Sequence, residues 1–191
     1  MNIHTIISAK NWELLLAKYR PKNLCEELSF EQVMLLAYNL FYENMYDDRG
    51  IQEFALDLAF EIRKQFPTEW DADWKHDVFL GNMCAICWKY EEQFHCFKRA
   101  YDKLVSPPDS LLLLLAGCKN APGQLPLSDQ EAEAFLLQAV QKKITYEAAL
   151  MMKALYKDKG DQKLEEYWNG QCAELEKNRV HTEAIIPEIF Q

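Results

Sequence analysis

Apolar residues recur along this chain at intervals of three and four positions and seldom at intervals of two, which is the period of an α-helix. Short polar or proline-containing stretches interrupt the pattern. Their spacing predicts about nine helices joined by short turns, and therefore an all-α fold. The predicted ranges are 8–19, 29–47, 51–66, 74–88, 90–105, 109–119, 128–143, 145–159 and 161–178.

Local signals mark several helix ends. Ser29-x-x-Gln32 and Ser128-x-x-Glu131 match the capping box, in which two side chains three positions apart satisfy amide groups at a helix N-terminus. Proline is interpreted as a helix stop at positions 21 and 67. The stretch TEWDADW, 68–74, predicts a turn, and EAIIPEIF, 183–190, predicts an extension that packs on the last helices.

The composition agrees with a helical protein of ordinary size. A chain of 191 residues fits one domain, and the scarcity of Gly (6) and Pro (7) favours helices over a turn-rich β architecture. We predict a single domain with a capping helical region at 1–28, helical hairpins over 30–178 and an extension over 179–191.

The sequence also predicts where the protein resides. Its longest uncharged apolar run, SLLLLLAGC at 110–118, has about half the length that a membrane span requires. The N-terminus has no pattern of a secretory signal. Six scattered cysteines without such a signal are typical of reduced thiols. We expect a soluble, cytoplasmic protein that does not associate with membranes.

The net charge of −9 changes the expected class of partner. A nucleic-acid-binding protein usually carries a basic stripe, and no window of this sequence holds one. An acidic protein attracts basic partners over long range. The charge therefore excludes nucleic acid and favours a basic protein as the partner.

The stretch LGNMCAICWKYEEQFHCFKRA, 80–100, gathers four residues that can bind metal: Cys84, Cys87, His95 and Cys96. Structural zinc needs its ligands to converge on one point. Neighbours such as His95 and Cys96 point about 100° apart on a helix, so they do not both face the first pair. Buried thiols without metal or cofactor are the preferred interpretation, and we expect no enzymatic activity. A metal or redox protein built on this cluster stays as the alternative from another class.

The same stretch resembles a tetratricopeptide-repeat (TPR) hairpin. Leu80-Gly81 match the Leu-Gly pair of its first helix, Phe97 and Ala100 supply the large and small residues of its second, and Pro107 closes the unit. Asp77, Cys84 and Gln93 depart from the usual Trp, Tyr and Ala. The resemblance implies antiparallel hairpins over 30–178, stacked as a short right-handed superhelix.

In TPR proteins the first helix of each hairpin lines a concave groove that binds a protein or peptide. By this resemblance we expect six partner-binding residues: Asn39, Tyr42, Lys75, Val78, Asn82 and Ile86. Aromatic residues at predicted helix ends, Trp70, Trp88 and Trp168 among them, either fill gaps between hairpins or belong to a binding surface, since Trp and Tyr dominate binding hot spots.

The sequence thus predicts a non-catalytic protein-binding module, and two versions stay open. One is an immunity protein that neutralises a basic toxin, because opposite charges accelerate such capture. The other is a chaperone of the type III secretion class, which holds a secreted protein. The stretch LLAYNLFYEN, 35–44, resembles the opening of the first repeat in these chaperones. The oligomeric state is left open.

Overall fold

The computed structural model describes residues 2–43, 49–122 and 127–191. Every regular element in these ranges is helical, which confirms the predicted all-α fold. There are twelve α-helices in the described ranges, and 3-10 turns at Cys118–Asn120 and Glu188–Phe190. The α-helices are α1 Ile3–Ser8, α2 Trp12–Lys18, α3 Pro21–Glu27, α4 Phe30–Glu43, α5 Arg49–Gln65, α6 Pro67–Ala72, α7 Lys75–Ile86, α8 Tyr90–Asp102, α9 Asp109–Gly117, α10 Asp129–Lys142, α11 Tyr146–Asp158 and α12 Gln162–Lys177.

The extra helices arise where proline or asparagine starts a helix that the sequence pattern did not predict. Pro21 and Pro67 stand at the first position of α3 and α6, where proline loses no hydrogen bond and its φ is already helical. The predicted turn at 68–74 was therefore wrong over α6. The helix predicted at 8–19 is confirmed over α2, but its predicted start was wrong, because the chain breaks at Lys10, with φ 49°, and Asn11 caps α2.

Both predicted capping boxes are confirmed. The Ser29 amide donates to Gln32 Oε1 at 3.1 Å, and the Gln32 amide donates to Ser29 Oγ at 3.4 Å. At α10 the Ser128 amide donates to Glu131 Oε2 at 2.9 Å, and the Glu131 amide donates back to Ser128 Oγ at 3.2 Å. The predicted end of the 29–47 helix falls in 44–48, outside the described residues.

The chain divides into two compact units. Unit one comprises the described residues up to Lys89 together with Ile186–Gln191, and in it α5 packs on α3, α4 and α7. The apolar stripes predicted for α4 and α5 form much of its core. These buried residues are Val33, Leu36, Ala37, Leu40 and Phe41 of α4, and Ala55, Leu58, Ala59 and Ile62 of α5.

Unit two, Tyr90–Ile185, has a core of its own. Small residues such as Ala116, Ala139 and Ala149 let its helices approach closely, and Leu136 and Trp168 fill the space between them. α11 and α12 pack against each other across a turn at Gly160, whose φ of 71° favours glycine. The best TPR-like match, 74–106, combines α7 of unit one with α8 of unit two, and the packing of this hairpin stays a prediction.

Segment 186–191 lies in unit one, on α4 and α7. The expectation that the extension packs on the last helices was therefore wrong for these six residues. Apolar contacts of Phe190 direct the segment to helices far away along the chain.

None of the helices in the described ranges is both long and apolar enough to span a membrane.

Candidate functional site

Three aromatic side chains form the base of a surface between α4 and α7. Tyr38 and Tyr42 lie four positions apart on α4, so they share one face of the helix, and their ring centroids are 4.7 Å apart. Phe79 of α7 lies 6.3 Å from each of the two tyrosine rings. We refer to Tyr38, Asn39, Tyr42, Lys75 and Phe79 as the α4–α7 surface.

A buried polar network fixes the start of α7 beneath this surface. The indole of Trp70, which is fully buried, donates from Nε1 to Asp77 Oδ1 at 3.0 Å. His76 Nδ1 lies 3.0 Å from the carbonyl oxygen of Trp70, and its ring packs edge-on against Phe30 of α4. Because buried hydrogen-bonded networks hold their members in one geometry, the end of α7 that carries Lys75 has a defined position against α4.

Four of the six predicted partner-binding residues are half-buried, and a fifth is more exposed. Asn39, Tyr42, Lys75 and Asn82 keep part of their surface accessible. Ile86 is 39% exposed. These residues are available to a partner, although their role in binding stays a prediction.

Val78 is the exception, since its side chain is fully buried. α7 buries six consecutive residues, His76–Gly81, so its accessible face is much narrower than the TPR resemblance implied. Val78 therefore packs in the core and cannot contact a partner. The prediction for this residue was wrong.

Segment 186–191 contacts the α4–α7 surface through Phe190. Its ring centroid lies 4.5 Å from that of Tyr38 and 5.0 Å from that of Phe79, distances at which aromatic pairs attract. Pro187 of the same segment is buried. The base of the surface is thus covered in part by the Phe190 ring.

Polar contacts hold the same segment over the N-terminus of α7. Lys75 Nζ lies 3.7 Å from Glu188 Oε1. The Asp73 carboxylate accepts from the Lys75 amide at 2.9 Å through Oδ1 and from the Glu188 amide at 3.3 Å through Oδ2. One carboxylate therefore caps the helix and positions the bound backbone.

Sequence reasoning missed Tyr38, Asp73, Phe79 and the segment itself. The spacing of Tyr38 and Tyr42 on one helical face was a signal that could have identified the first. No local signal reports the docking of Glu188 on Asp73, since the two residues are 115 positions apart.

The surface is suited to binding by stacking, charge and hydrogen bonds. Burial, and after it the neighbouring Tyr38, raises the pKa of the Tyr42 hydroxyl, so this group stays neutral at physiological pH. A neutral hydroxyl both donates and accepts hydrogen bonds. Lys75 adds one positive charge beside it. This combination of aromatic rings, amide, hydroxyl and one cation favours recognition of a peptide.

The cysteines do not form the cluster that the alternative interpretation needs. Cys84 is fully buried, Cys96 is 2% exposed, and His95 lies on the surface 3.8 Å from Glu91. Throughout the described part of the chain, no group of three or more His, Cys, Asp or Glu side chains is placed to hold a metal ion.

The raised pKa values of four thiols also oppose nucleophilic chemistry at their positions. Burial raises the pKa of the Cys118 thiol to about 12, and burial together with Glu61 and Glu26 raises that of Cys25 to about 12. Burial is likewise the main cause of the raised pKa at Cys87 and Cys172. Reactive cysteines need the opposite shift, because the thiolate is the nucleophile.

The aromatic residues at helix ends divide between core and surface. Trp70 and Trp168 are buried and fill the interior, whereas Trp88 is 65% exposed. Trp88 follows the end of α7 with φ 60°, and the Arg49 guanidinium lies 4.4 Å from the centre of its ring. An exposed Trp with a stacked Arg is the composition of a binding hot spot.

Unit two contains a cavity of about 230 Å³ beside α10 and α11. Leu136, Met151 and Leu155 give it an apolar floor. Charged residues at its rim form pairs, Lys119 with Asp129 at 3.5 Å and Lys159 with Glu133 at 2.5 Å. Asn120 and Asp158 add further polar groups to the lining.

Comparison with family models, with curated proteins and with solved structures finds no match for this chain.

Proposed function

We propose that this protein is a non-catalytic binding module that holds a segment of a partner protein on the α4–α7 surface. The observation that carries the proposal is that this surface already binds a peptide segment, Pro187–Phe190 of the chain itself. Phe190 stacks on Tyr38 and Phe79, and Glu188 pairs with Lys75. A surface that binds one such segment has the groups required to bind another.

The predicted residues at the edge of this surface extend the proposed site. Asn82 and Ile86 follow Phe79 along α7, and both retain accessible surface. A partner segment longer than the six residues of 186–191 would run along α7 towards them. Trp88, just past the end of α7, supplies a second exposed aromatic in this direction.

The charge of the chain supports a basic partner. A net charge of −9 accelerates association with a positively charged protein, as in the capture of a toxin by an immunity protein. We therefore prefer the version in which the protein is an immunity protein. The chaperone version differs in its partner, a secreted protein held before export, and it uses the same surface.

Substitution of Asn82 and Ile86 tests the proposal on a partner recovered by affinity capture. Asn82→Arg and Ile86→Arg, each added singly, introduce bulk and charge at the edge of the surface. We expect each to weaken binding about ten-fold or more, since loss of a hot-spot contact costs about 2 kcal/mol. Calorimetric titration of each variant with the purified partner measures this change.

The matched control is Val105→Arg in unit two, where the side chain is fully exposed and the substitution introduces the same charge. Circular dichroism of all three variants verifies that helicity is kept. Equal affinity of the Asn82 and Ile86 variants and the control would remove the α4–α7 surface as the binding site.

A further inference from the structure

Segment 186–191 adopts a shape that is fixed by contacts within the segment. The Phe190 amide donates to the Pro187 carbonyl oxygen and the Gln191 amide to that of Glu188, both at 3.1 Å. Gln191 Nε2 also donates to the Ile186 carbonyl oxygen at 3.1 Å. Because proline fixes φ at its own position, the segment loses little conformational freedom when it binds.

This shape places two recognition groups on the surface at a fixed spacing. Glu188 directly follows the proline and meets Lys75, at 3.7 Å. Phe190 follows the proline by three positions and stacks on Tyr38 and Phe79. In this segment the surface thus pairs with an acidic residue and stacks on an aromatic residue two positions further on, while the preceding proline helps to fix the backbone shape.

The segment is held by few contacts. The Glu188 side chain is 82% exposed, and ion pairs at this exposure stabilise little. Phe190 is only partly buried, and Ile186 is 44% exposed. A segment that is tethered to the same chain nevertheless has a high effective concentration at the surface, so weak contacts suffice to keep it bound.

We infer that segment 186–191 is a built-in occupant of the α4–α7 surface and is displaced by a partner segment with the same recognition groups. The inference rests on the proposed function, because it assigns that site both its ligand class and its regulation. The partner segment carries a proline, an acidic residue directly after that proline, and an aromatic residue three positions after the proline. The tethered segment competes with this ligand and excludes weaker ones.

The first test compares the full chain with its Phe190→Ala variant, in which the built-in segment loses its aromatic anchor. The probe is a fluorescein-labelled peptide of residues 185–191 with an amidated end, and its anisotropy reports binding. We expect the variant to bind the peptide at least about ten-fold more tightly than the native chain, since an intramolecular competitor lowers the apparent affinity. The same peptide with Phe190→Ala is the control and should not bind.

A second variant, Glu188→Lys in the full chain, removes the exposed Glu188–Lys75 pair and so weakens the attachment of the segment slightly, without touching its apolar anchor. Since Glu188 is exposed, this change leaves folding unaffected, and it should also raise peptide binding slightly. Lys75→Glu, combined with Phe190→Ala, should weaken binding of the native peptide by a factor of about five at most and reverse this loss for a peptide with Glu188→Lys, because exposed ion pairs contribute up to about 1 kcal/mol. Glutamate is tolerated at the first position of α7 because it favours the helix N-terminus.

Equal peptide binding by the native chain and the Phe190→Ala variant would overturn the inference, as would no binding by either of them. A concentration-dependent dimer in which copies exchange their segments would also contradict the inference. A native chain that stays monomeric in sedimentation velocity experiments would support it. These outcomes are separate from the proposed function, which depends on how the Asn82 and Ile86 variants bind a partner protein.

Discussion

Trp88 occupies the backbone position that glycine usually holds at the end of a helix. The Lys89 amide donates to the Cys84 carbonyl oxygen at 2.8 Å and the Trp88 amide to that of Ala85 at 3.2 Å, which is the Schellman pattern. Its φ of 60° is left-handed and unfavourable for a bulky residue. The strained backbone at Trp88 carries a ring that is 65% exposed and contacts the Arg49 guanidinium.

Glycine and alanine at position 88 should separate the backbone strain from the side-chain contact. Both substitutions lose the Arg49 contact, but only glycine relieves the left-handed strain, which costs about 1 kcal/mol. We expect Trp88→Gly to have a free energy of unfolding about 1 kcal/mol higher than Trp88→Ala in urea titrations. An alanine variant as stable as the glycine variant would show that position 88 carries no strain.

At the scale of elements, residues 180–183 are attached to the start of α11. The Tyr146 amide donates to the Val180 carbonyl oxygen at 2.8 Å. Glu147 accepts from the Thr182 amide at 2.8 Å, and its other oxygen lies 2.9 Å from His181 Nδ1. A single carboxylate therefore fastens an irregular segment to a helix.

The pKa of Glu147 reports this attachment. Burial raises the pKa, but the hydrogen bonds from Thr182 and His181 together outweigh burial and hold it below its ordinary value of 4.5. Because the folded pKa is depressed, the stabilisation is present above the ordinary value and is lost as pH falls through the folded value. We expect the amide resonance of Thr182 to titrate with a midpoint below 4.5 in NMR spectra.

Glu147→Gln is the matched control for this titration, because glutamine keeps the size of the side chain and removes its charge. The acid titration of the Thr182 amide should disappear in the variant, and protection of that amide from hydrogen exchange at neutral pH should fall. A midpoint at or above 4.5 in the native chain would contradict the account of the attachment.

Helix existence was predictable from the sequence because it depends on local periodicity. The stripes of α4 and α5 follow from residues such as Leu36, Leu40, Ala55 and Leu58, whose spacing fixes the buried face without knowledge of the partner helix. The capping boxes at Ser29 and Ser128 are equally local. The short helices that begin at Pro21 and Pro67 were not predicted, because proline is found both after the end of a helix and at its first position.

The candidate site was less predictable because its parts meet through long-range packing. Asn39, Tyr42, Lys75 and Asn82 were expected from the TPR resemblance, and their role in binding stays a prediction. The burial of Val78 depends on neighbours on several sides of α7, which periodicity along one helix does not report. No local sequence pattern predicts that Phe190 packs on Tyr38 and Phe79.

At the scale of the whole molecule, the chain combines an acidic net charge with an aromatic surface that carries one cation. In the proposed function, the net charge of −9 acts over long distances and attracts a basic partner. Lys75 acts only at contact, where it selects an acidic residue of the bound segment. The two signals are compatible because they operate at different distances, so a basic protein with a locally acidic recognition segment satisfies both.

Hydrogen–deuterium exchange of the chain with and without its bound partner tests the central claim most directly. We expect protection to increase over 38–42 of α4 and 75–86 of α7, and protection of 186–191 to fall as the partner displaces that segment. Protection confined to unit two, with exchange over α4 and α7 unchanged, would contradict the assignment of the α4–α7 surface as the binding site.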